Sequence, residues 1–553
     1  MDSILDMMKK LLYSFIALFC LCSCGTDLSE IEDRLDQLEQ EENNQKKKKQ
    51  ELEKEINDLD NQNDQTNKDI DELEKEMNKP QLYSFDILAI DNPMQLVENV
   101  KGEIEGDSII NCWIVNITSD KKLIPRFEFK GESVSIDGKK VDSGVTVCDF
   151  SKPAKLTVSN AGQTKSYVIY VQSYTGLPVL WTETNKREDI STTTKYYNAS
   201  FKLVEGTKTR AAGDITEAKV KIRAVGEVKW YQSAVHDSYQ MGKNSYTIVF
   251  PSNVSLMNDP LNNDWDLRPN ADDNTMLRNQ TAYYMGKISN LDYTPRFHFV
   301  DLMLNGRYYG TYMLGDHIEN NANRVDVGFS GFILKIGTNA SGVTFRTSKL
   351  EQPVTIVSPS TSAGDAYYQE ITQYMSKAEN ALFGSNFTDA DEGWQKYMDM
   401  DSFVDWYLIN EIAKNDDGAF VTDCFMSLKQ NGKLKMGPLW TFEKAFGNSK
   451  DNSPRGFVIK NTKWFSRLFE DPAFVEKVKE RFSYFYDHQT DIVNEINANG
   501  EYLKYSAQEN NHKWGVFDAY KKTGFTPGAL YLNEVQSMKE WLSRRMEWLK
   551  SEL

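Results

Sequence analysis

The sequence predicts a multidomain protein with an N-terminal lipoprotein signal and coiled coil, a small all-β sandwich, and a C-terminal α+β unit of two lobes. Three observations lead to this fold class. An apolar leader ends at Cys24, a heptad pattern fills residues 28–77, and alternating strands give way to mixed strands and helices after residue 179. With 553 residues, the chain also exceeds the size at which single cores stop growing, about 250–300 residues.

The leader resembles a bacterial lipoprotein signal. Lys9 and Lys10 precede an apolar run, 11–22, that is too short to span a bilayer and ends at small residues. A small residue followed by Cys24 resembles a lipobox, which implies that Cys24 carries diacylglycerol and palmitate. An uncleaved signal anchor is the alternative. We expect a mature protein held at a membrane surface by its acyl chains.

The acidic residues after Cys24 are similar to the export signals of surface lipoproteins from Bacteroidota. The resemblance implies an outer-membrane lipoprotein exposed at the cell surface, with the periplasmic face as the alternative. The formal charge of −17 argues against a nucleic-acid partner, because phosphates would be repelled. Cys112 and Cys148 either form a disulfide in an oxidising compartment or remain buried thiols.

Residues 28–77 predict a coiled-coil stalk. With Leu28 at position a, the heptad phase runs unbroken to Met77 and places apolar side chains along one seam. Polar residues interrupt the seam in the middle, and Pro80 ends the helix. We predict parallel self-association, most simply a homodimer, against two alternatives: a single solvated helix or an antiparallel hairpin bent near Asn43-Asn44. The apolar seam positions after Leu28 are Ile31, Leu35, Leu38, Leu52, Ile56, Leu59, Ile70, Leu73 and Met77.

Between about residues 82 and 173 the apolar pattern changes to period two, which is typical of strands. Asp137-Gly138 and Ala161-Gly162 supply turns. Short strands at this spacing predict a small sandwich that resembles the Ig-like spacer domains of Bacteroidota surface lipoproteins. The segment has no catalytic constellation, so we expect it to act as a spacer or weak binding module.

From residue 179 onward, strands come first and helices later, which predicts an α+β unit with two lobes. Asn305-Gly306 is a strong hairpin signal. The predicted strands are 219–224, 245–250, 297–304, 308–314 and 331–336, and the predicted helices are about 366–382, 400–414, 471–488 and 535–551.

The most suggestive chemistry lies between Asp401 and Asn448. Asp401 is predicted to cap a helix that ends in an acidic loop containing Asp417. A hairpin follows, and then a second acidic loop with Glu443. This order fits phosphoryl transfer, in which one acid accepts the proton of the nucleophile and a second holds the metal. Asp-Asp-Gly sequences also form ordinary turns.

Seven segments in order resemble the CotH kinase family (spore-coat protein H and its relatives). The resemblance implies an atypical kinase-like fold, ATP with Mg²⁺ or Mn²⁺, and transfer of phosphate to protein. The matching segments are 243–246, Trp265 with 272–279, 304–312, 410–417, 437–440, 464–468 and 541–545.

The resemblance also implies roles for individual residues. Asp417 is assigned to the acceptor hydroxyl, with Asn415 beside it, and Asp423 and Glu443 to the metal. Lys243, Arg223 and Arg278 are assigned to nucleotide phosphates, although Arg278 could instead be a structural ion-pair partner. The family usually has two aspartates where this chain has Thr441 and Glu443, and Thr441 offers no charged oxygen.

The predicted domains are a signal peptide (1–23), a lipidated stalk (24–79), the β-sandwich (80–175) and the kinase-like domain (179–553). We therefore expect a membrane-anchored atypical protein kinase that acts on a protein outside the cytoplasm. The alternative is a weak or inactive pseudokinase that serves as a surface-binding or structural lipoprotein.

Overall fold

The structure is a computed structural model that describes residues 29–96, 99–115, 121–204, 215–232, 239–337, 342–420, 422–514 and 530–553, with a few isolated positions between 7 and 14. Cys24 and the predicted lipobox lie outside the described residues. The chain divides into two compact units. One comprises residues 1–83, 129–135 and 157–166, and the other comprises residues 84–128, 136–156 and 167–553. Among the helices described, none combines the length and the apolarity needed to cross a bilayer.

The first unit is dominated by helix α1, Ser29–Met77, which runs for 49 residues without a break. It passes straight through Asn43-Asn44, which rules out the alternative of a hairpin bent at these residues. The C-terminal end of α1 is held by a β-turn, since Asn160 Nδ2 donates to Asn78 O at 2.8 Å and Gln163 Nε2 donates to Lys75 O at 3.1 Å. The helix itself is confirmed, whereas its pairing with another helix stays a prediction.

The region after α1 is all-β, as predicted. Both predicted turns have positive φ at each central residue: 49° and 78° at Asp137-Gly138, and 46° and 76° at Ala161-Gly162. Strand β4 pairs in parallel with β11, and an Ig-like topology stays a prediction. Cys112 and Cys148 are buried and free, so they form no disulfide. The strands are β1 Gln81–Ile87, β2 Val100–Lys101, β3 Glu103–Glu105, β4 Ile109–Val115, β5 Lys122–Leu123, β6 Pro125–Lys130, β7 Ser133–Ile136, β8 Lys139–Lys140, β9 Cys148–Asp149, β10 Ala154–Asn160 and β11 Gln163–Tyr174.

A closed seven-stranded barrel follows, which the sequence does not predict. Its order is β12-β13-β14-β17-β18-β20-β19, and the parallel pairing of β12 with β19 closes it. Its strands are β12 Val179–Thr184, β13 Tyr197–Val204, β14 Ile215–Val225, β17 Ser245–Val254, β18 Asn262–Arg268, β19 Phe297–Leu304 and β20 Arg307–Asp316, while β15 Trp230–Gln232 and β16 Tyr239–Met241 form a separate ribbon.

Alternation along the barrel strands separates a packed interior from a polar outer face. Ile222, Ile248 and Trp265 are cross-strand neighbours and belong to one buried apolar cluster. The residues next to these three in sequence are Arg223, Thr247 and Asp266. They form a polar row on the other face.

The remaining elements form a five-stranded sheet of order β22-β23-β21-β24-β25 with helices around it. Their shared core contains Trp394, Phe403, Trp464 and Leu542. The strands are β21 Phe332–Ile336, β22 Val343–Arg346, β23 Pro353–Ser358, β24 Phe425–Leu428 and β25 Lys435–Met436, and the helices are α2 Arg278–Lys287, α3 Ala366–Leu382, α4 Met400–Ala413, α5 Lys463–Leu468, α6 Pro472–Asp487, α7 Gln489–Trp514 and α8 Leu530–Glu552.

Most predicted elements of this region are present. The predicted strand 297–304 and helix 366–382 coincide with β19 and α3. The predicted cap of α4 is wrong: the helix is capped by Asp399, whose side chain accepts from Ser402 N at 2.9 Å, and Asp401 lies in the first turn. A kinase-like arrangement of the two lobes stays a prediction.

Helix α7 connects this helical core to the barrel and to the β-domain. Ile492, Ile496 and Leu503 of this helix belong to the core. In its second half, Ser506 Oγ contacts Asp301 Oδ1 at 3.2 Å and Glu509 pairs with Lys121 at 3.1 Å. The Lys121 and Glu509 side chains are each only 7% exposed.

Candidate functional site

Two loops meet beside the barrel and bring acidic residues together. The loop between β18 and α2 carries Asp272, whose backbone N–H donates to Glu443 Oε2 at 3.1 Å. Glu443 lies in the loop after β25. Asn448 in the same loop donates from Nδ2 to both Asp272 O and Glu443 O, each at 2.7 Å. The Glu443 carboxylate is therefore held by the backbone N–H of Asp272, and Asn448 links the backbones of the two loops.

A buried ion pair holds the Asp272 loop in place. Asp273 accepts from Arg278 NH1 and, at 2.9 Å, from the backbone N–H of Arg278, and Arg278 Nε donates to Ala445 O at 3.0 Å. Both side chains are almost completely buried. Arg278, predicted to bind phosphate, thus occupies the structural ion-pair role that the sequence left open, because its guanidinium clamps one loop to the other.

Asn279 and Asn415 hold the Glu443 loop from two sides. Asn279 Oδ1 accepts from Phe442 N at 2.6 Å, and Asn415 Nδ2 donates to Thr441 O at 3.1 Å. Asn415 Oδ1 is buried and has no hydrogen-bond partner among the described residues. An unpaired buried acceptor is costly, so Asn415 Oδ1 is an available ligand for a cation or a donor group.

Gly418 allows the loop after α4 to approach these amides closely. A Cβ at Gly418 would lie 2.6 Å from Asn410 Oδ1 and 2.7 Å from Asn415 Nδ2. Any larger residue would therefore displace the amide pair. Position 418 of the Asp-Asp-Gly sequence is therefore restricted to glycine by the lack of space, in addition to the preference of this sequence for turns.

Asp417 lies next to the side chain of Lys444, the residue that follows Glu443. Its side chain is 39% exposed, and Lys444 Nζ lies 3.8 Å from Asp417 Oδ2. Burial raises the pKa of Asp417, the charge of Lys444 opposes this, and Asp423, Asp416 and Asp272 raise it further. Asp417 and Glu443 thus share Asp272 as an electrostatic neighbour. A carboxyl with a raised pKa is a stronger proton acceptor once it is ionised.

Glu443 is held between negative and positive charge. Burial raises the pKa of Glu443, the hydrogen bond from Asp272 N opposes this, and the charges of Asp273 and Asp272 add to the rise. Arg268 lowers it and stacks its guanidinium 3.9 Å from the centre of the Trp440 ring. Concentrated negative charge of this kind favours a bound cation.

Lys243 approaches the same group from the β16–β17 connection. Its side chain is 7% exposed, and its Nζ makes no hydrogen bond within the described part of the chain. Burial lowers the pKa of Lys243 to about 7, although the charges of Glu443, Asp301 and Asp273 pull it upward. The amine lies over the Tyr312 ring, and Nζ is 5.2 Å from the ring centre. A buried amine without a hydrogen-bond partner in the described chain is suited to an anionic ligand.

Arg223 belongs to a different polar cluster. It lies in the outer row of the barrel with Asp266, which accepts from Thr247 Oγ1 at 2.7 Å and contacts His317 Nδ1 at 3.0 Å. Burial opposes ionisation, yet His317 and Arg268 lower the pKa of Asp266 to about 2. Arg223 stacks 4.9 Å from the Tyr196 ring. The structure therefore places Arg223 and Lys243 in separate surroundings.

Asp423, the other predicted metal ligand, is paired with a cation. Its Oδ1 lies 2.5 Å from Lys335 Nζ. In the described part of the chain, no three side chains of the types His, Cys, Asp and Glu are grouped so that they could hold a metal ion. A metal bound here would have to draw on Glu443 and on the free Asn415 Oδ1, with water or phosphate completing its shell.

Sequence reasoning missed Asp272 and Lys229. Asp272 lies next to Glu443, and its carboxylate is 3.6 Å from Lys229 Nζ. Asp272 belongs to a segment that matches the family, but its spacing from Glu443 is about 170 residues, so no local pattern joins the two. The adjacent acids Asp272-Asp273 were a local signal of this site. Asp273 forms the buried ion pair with Arg278, and Asp272 stays half-exposed.

Comparisons with known proteins identify one family. A model described as CotH kinase protein matches residues 228–549. The search of curated proteins finds no match. Among solved structures, a crystal structure from Bacteroides thetaiotaomicron, described provisionally as a glycoside hydrolase, aligns at 14% identity over 53% of this chain and 86% of that chain, with a TM-score of 0.15. A likeness this weak carries no argument about function.

Proposed function

The chain belongs to the CotH kinase family, and from that premise we propose that it is an atypical kinase that transfers phosphate from ATP to a protein outside the cytoplasm. In this proposal, acyl chains on Cys24 hold it at the outer membrane, facing the cell surface. The observation that carries the phosphotransfer is the contact of the Glu443 carboxylate with the Asp272 loop, together with two buried polar groups that have no partner in the described chain, Lys243 Nζ and Asn415 Oδ1.

Each residue has a distinct task in the proposed reaction. Lys243, in its charged form, holds phosphate oxygens of the nucleotide as a point charge. Asp417 accepts the proton of the acceptor hydroxyl as its oxygen attacks the γ-phosphorus, and ADP leaves. Asp272 positions the Glu443 carboxylate through its backbone N–H. Lys229 balances the charge of Asp272.

The donor atoms fit Mg²⁺ or Mn²⁺. Asn415 Oδ1 is a buried oxygen without a partner among the described residues, and Glu443 offers a carboxylate that is held by the backbone N–H of Asp272. Mg²⁺ is usually held by one or two carboxylates, and waters and phosphate oxygens fill its other positions. A bound cation would neutralise charge on the transferring phosphate.

The experiment is a thermal unfolding series on the full chain with ATP and Mg²⁺ or Mn²⁺. The expected result is a rise in Tm that is larger with both ligands than with either alone, since ligands that bind only the folded state stabilise it. Glu443→Gln should remove the metal-dependent part of the rise. Thr441→Asp restores the carboxylate that the family usually has and should increase it. An unchanged Tm in all conditions would reject the proposal.

A second candidate function rests on Thr441. With Thr in place of a carboxylate, and with no three-ligand cluster in the described residues, the fold also suits a non-catalytic surface lipoprotein that binds another protein or ligand. This alternative predicts that neither nucleotide nor metal changes the Tm, and that Thr441→Asp leaves it unchanged as well.

A further inference from the structure

We propose that helix α1 pairs with α1 of a second copy of this chain as a parallel, in-register, two-stranded coiled coil. The inference is independent of the kinase proposal. Six apolar side chains in the second half of α1 are between 46% and 66% exposed: Leu52, Ile56, Leu59, Ile70, Leu73 and Met77. All six fall on positions a and d of one heptad phase. Exposed apolar residues scattered at random would not share one stripe.

The continuous helix excludes burial of this stripe by α1 itself. A hairpin bent at Asn43-Asn44 would have covered the seam within one chain, but α1 runs unbroken from Ser29 to Met77. At 1.5 Å per residue the helix is about 74 Å long. Isolated helices depend on packing of an apolar face, so a helix of this length with an open seam is suited to a partner helix.

Charge favours the parallel orientation. In a parallel pair, each g residue faces the e′ residue of the next heptad. Three of these pairs are attractive: Arg34 with Glu39, Glu41 with Lys46, and Lys48 with Glu53. Two are repulsive, Glu55 with Asp60 and Asp69 with Glu74. In the antiparallel pairing that matches Leu35 with Leu73, Glu53 and Glu55 would each face their own copies, as well as other like charges.

The polar seam positions specify two strands in register. Asn63 at position a faces its own copy only in a parallel, in-register pair, and a buried Asn favours dimers. The charged a residues are compensated within each helix, since Glu42 pairs with Lys46 at 3.2 Å and Lys49 with Glu53 at 3.8 Å. The polar and charged residues in the seam lower the stability of the dimer, but they also disfavour pairings in which the two helices are out of register.

The test uses the full chain in detergent, with cysteine cross-linking and light scattering. Leu73→Cys places a thiol at position d, where parallel, in-register helices bring two copies together. Glu72→Cys, at the outward position c, is the matched control, and the unmodified chain gives the background from its own cysteines. Mild oxidation should cross-link the Leu73→Cys variant at least tenfold faster than Glu72→Cys. Light scattering should give twice the 63.5 kDa chain mass.

A second variant keeps the inference falsifiable without cross-linking. Ile56→Asn with Leu59→Asn should shift the mass to the monomer, while Asp58→Asn on the outer face leaves the dimer intact. A monomeric unmodified chain, a trimer, or equal cross-linking at positions 72 and 73 would each overturn the proposal. So would cross-linking that requires Leu35→Cys together with Leu73→Cys, because only antiparallel helices place those two positions opposite each other.

Discussion

Two polar regions border the barrel, and they differ in how fully their buried groups are paired. At the junction with α7 and the β-domain, Asp301 accepts from Thr175, Tyr308 and Ser506, and Lys121 is bound by Glu509 and by Val171 O. At the candidate site, by contrast, Lys243 Nζ and Asn415 Oδ1 have no partner in the described chain. Both regions bury charge at comparable depth. The difference indicates that the junction serves stability and the candidate site is kept ready for a ligand.

The electrostatics of the two regions follow the same contrast. Burial raises the pKa of Asp301 to about 6, and three hydrogen bonds oppose this rise. Burial lowers the pKa of Lys243 to about 7, and the charges of Glu443, Asp301 and Asp273 oppose that shift without a hydrogen bond to the amine. A fold that leaves such an amine unpaired loses stability, which is common where a site must bind an anion.

The largest expected effect comes from breaking the junction. Lys121→Met leaves Glu509 buried without its ion-pair partner and should lower the free energy of unfolding by about 3–5 kcal/mol. Chemical denaturation of the full chain measures the change. Arg126→Met, which removes the exposed partner of Asp91, is the matched control and should have a far smaller effect. Equal losses in the two variants would contradict a structural role for the junction.

The next effect concerns activity at the candidate site. Asp272→Asn keeps the backbone N–H that binds Glu443 but removes the neighbouring charge. If the proposed phosphotransfer operates, turnover should fall about 10–100-fold, which is typical when a group beside a metal ligand is changed, because the lost negative charge no longer favours a cation at Glu443. Phosphate transfer to a protein acceptor is the measurement. Asp391→Asn, in an exposed loop, should retain full turnover. An active Asp272→Asn variant would remove Asp272 from the site.

The smallest expected effect comes from Lys243→Met, which should raise the stability of the fold and weaken its binding of nucleotide. Lys243→Met removes an unpaired buried amine and should stabilise the fold by about 1–2 kcal/mol. The folded-state pKa of Lys243 lies below its usual value, so the folded protein binds fewer protons between about pH 7 and 10. The wild type therefore gains stability as pH rises through that window. The advantage of the variant should be greatest below pH 7 and shrink above it.

The affinity for nucleotide should change with pH in the direction opposite to stability. Because the charged amine attracts phosphate, the affinity of the wild type for ADP should fall as pH rises above 7, by up to about tenfold per unit. Lys243→Met should bind weakly with a flatter profile. Calorimetry at several pH values separates the two effects. A destabilised Lys243→Met variant would show that the amine has a stabilising partner and would end the contrast between the two regions.

Local elements of this fold were predictable from sequence because local chemistry determines them. Asn305-Gly306 has φ values of 55° and 78°, as a tight hairpin requires, and the flanking strands follow from their alternation. Barrel closure was not predictable, because Val179 pairs with Asp301 across more than a hundred residues and leaves no periodic signal. Helix α2 was also missing from the predicted elements as a defined segment, since it is short and largely buried.

The candidate site was predictable only in part, for the same reason. Asp417 and Glu443 stand out because each follows a recognisable helix or strand. Asp272 joins them through loop packing alone, and Arg278 turned from a predicted phosphate ligand into a clamp because Asp273 and Ala445 O lie within its reach. Whether a charged side chain binds a ligand or its own fold depends on such distant neighbours, which one sequence does not display.

Helix α7 has one further consequence, for how this chain can vary. Ser506, Glu509 and Asn510 are spaced at i, i+3 and i+4 and so share one side of the helix, where Asn510 Oδ1 accepts from Thr311 N. Deleting a single residue upstream in α7 would rotate all three by about 100° and pull them away together. We therefore expect relatives to carry insertions and deletions in the loops around α7 and not within the helix. The contacts of α7 depend on the direction in which its side chains point more than on its amino-acid composition.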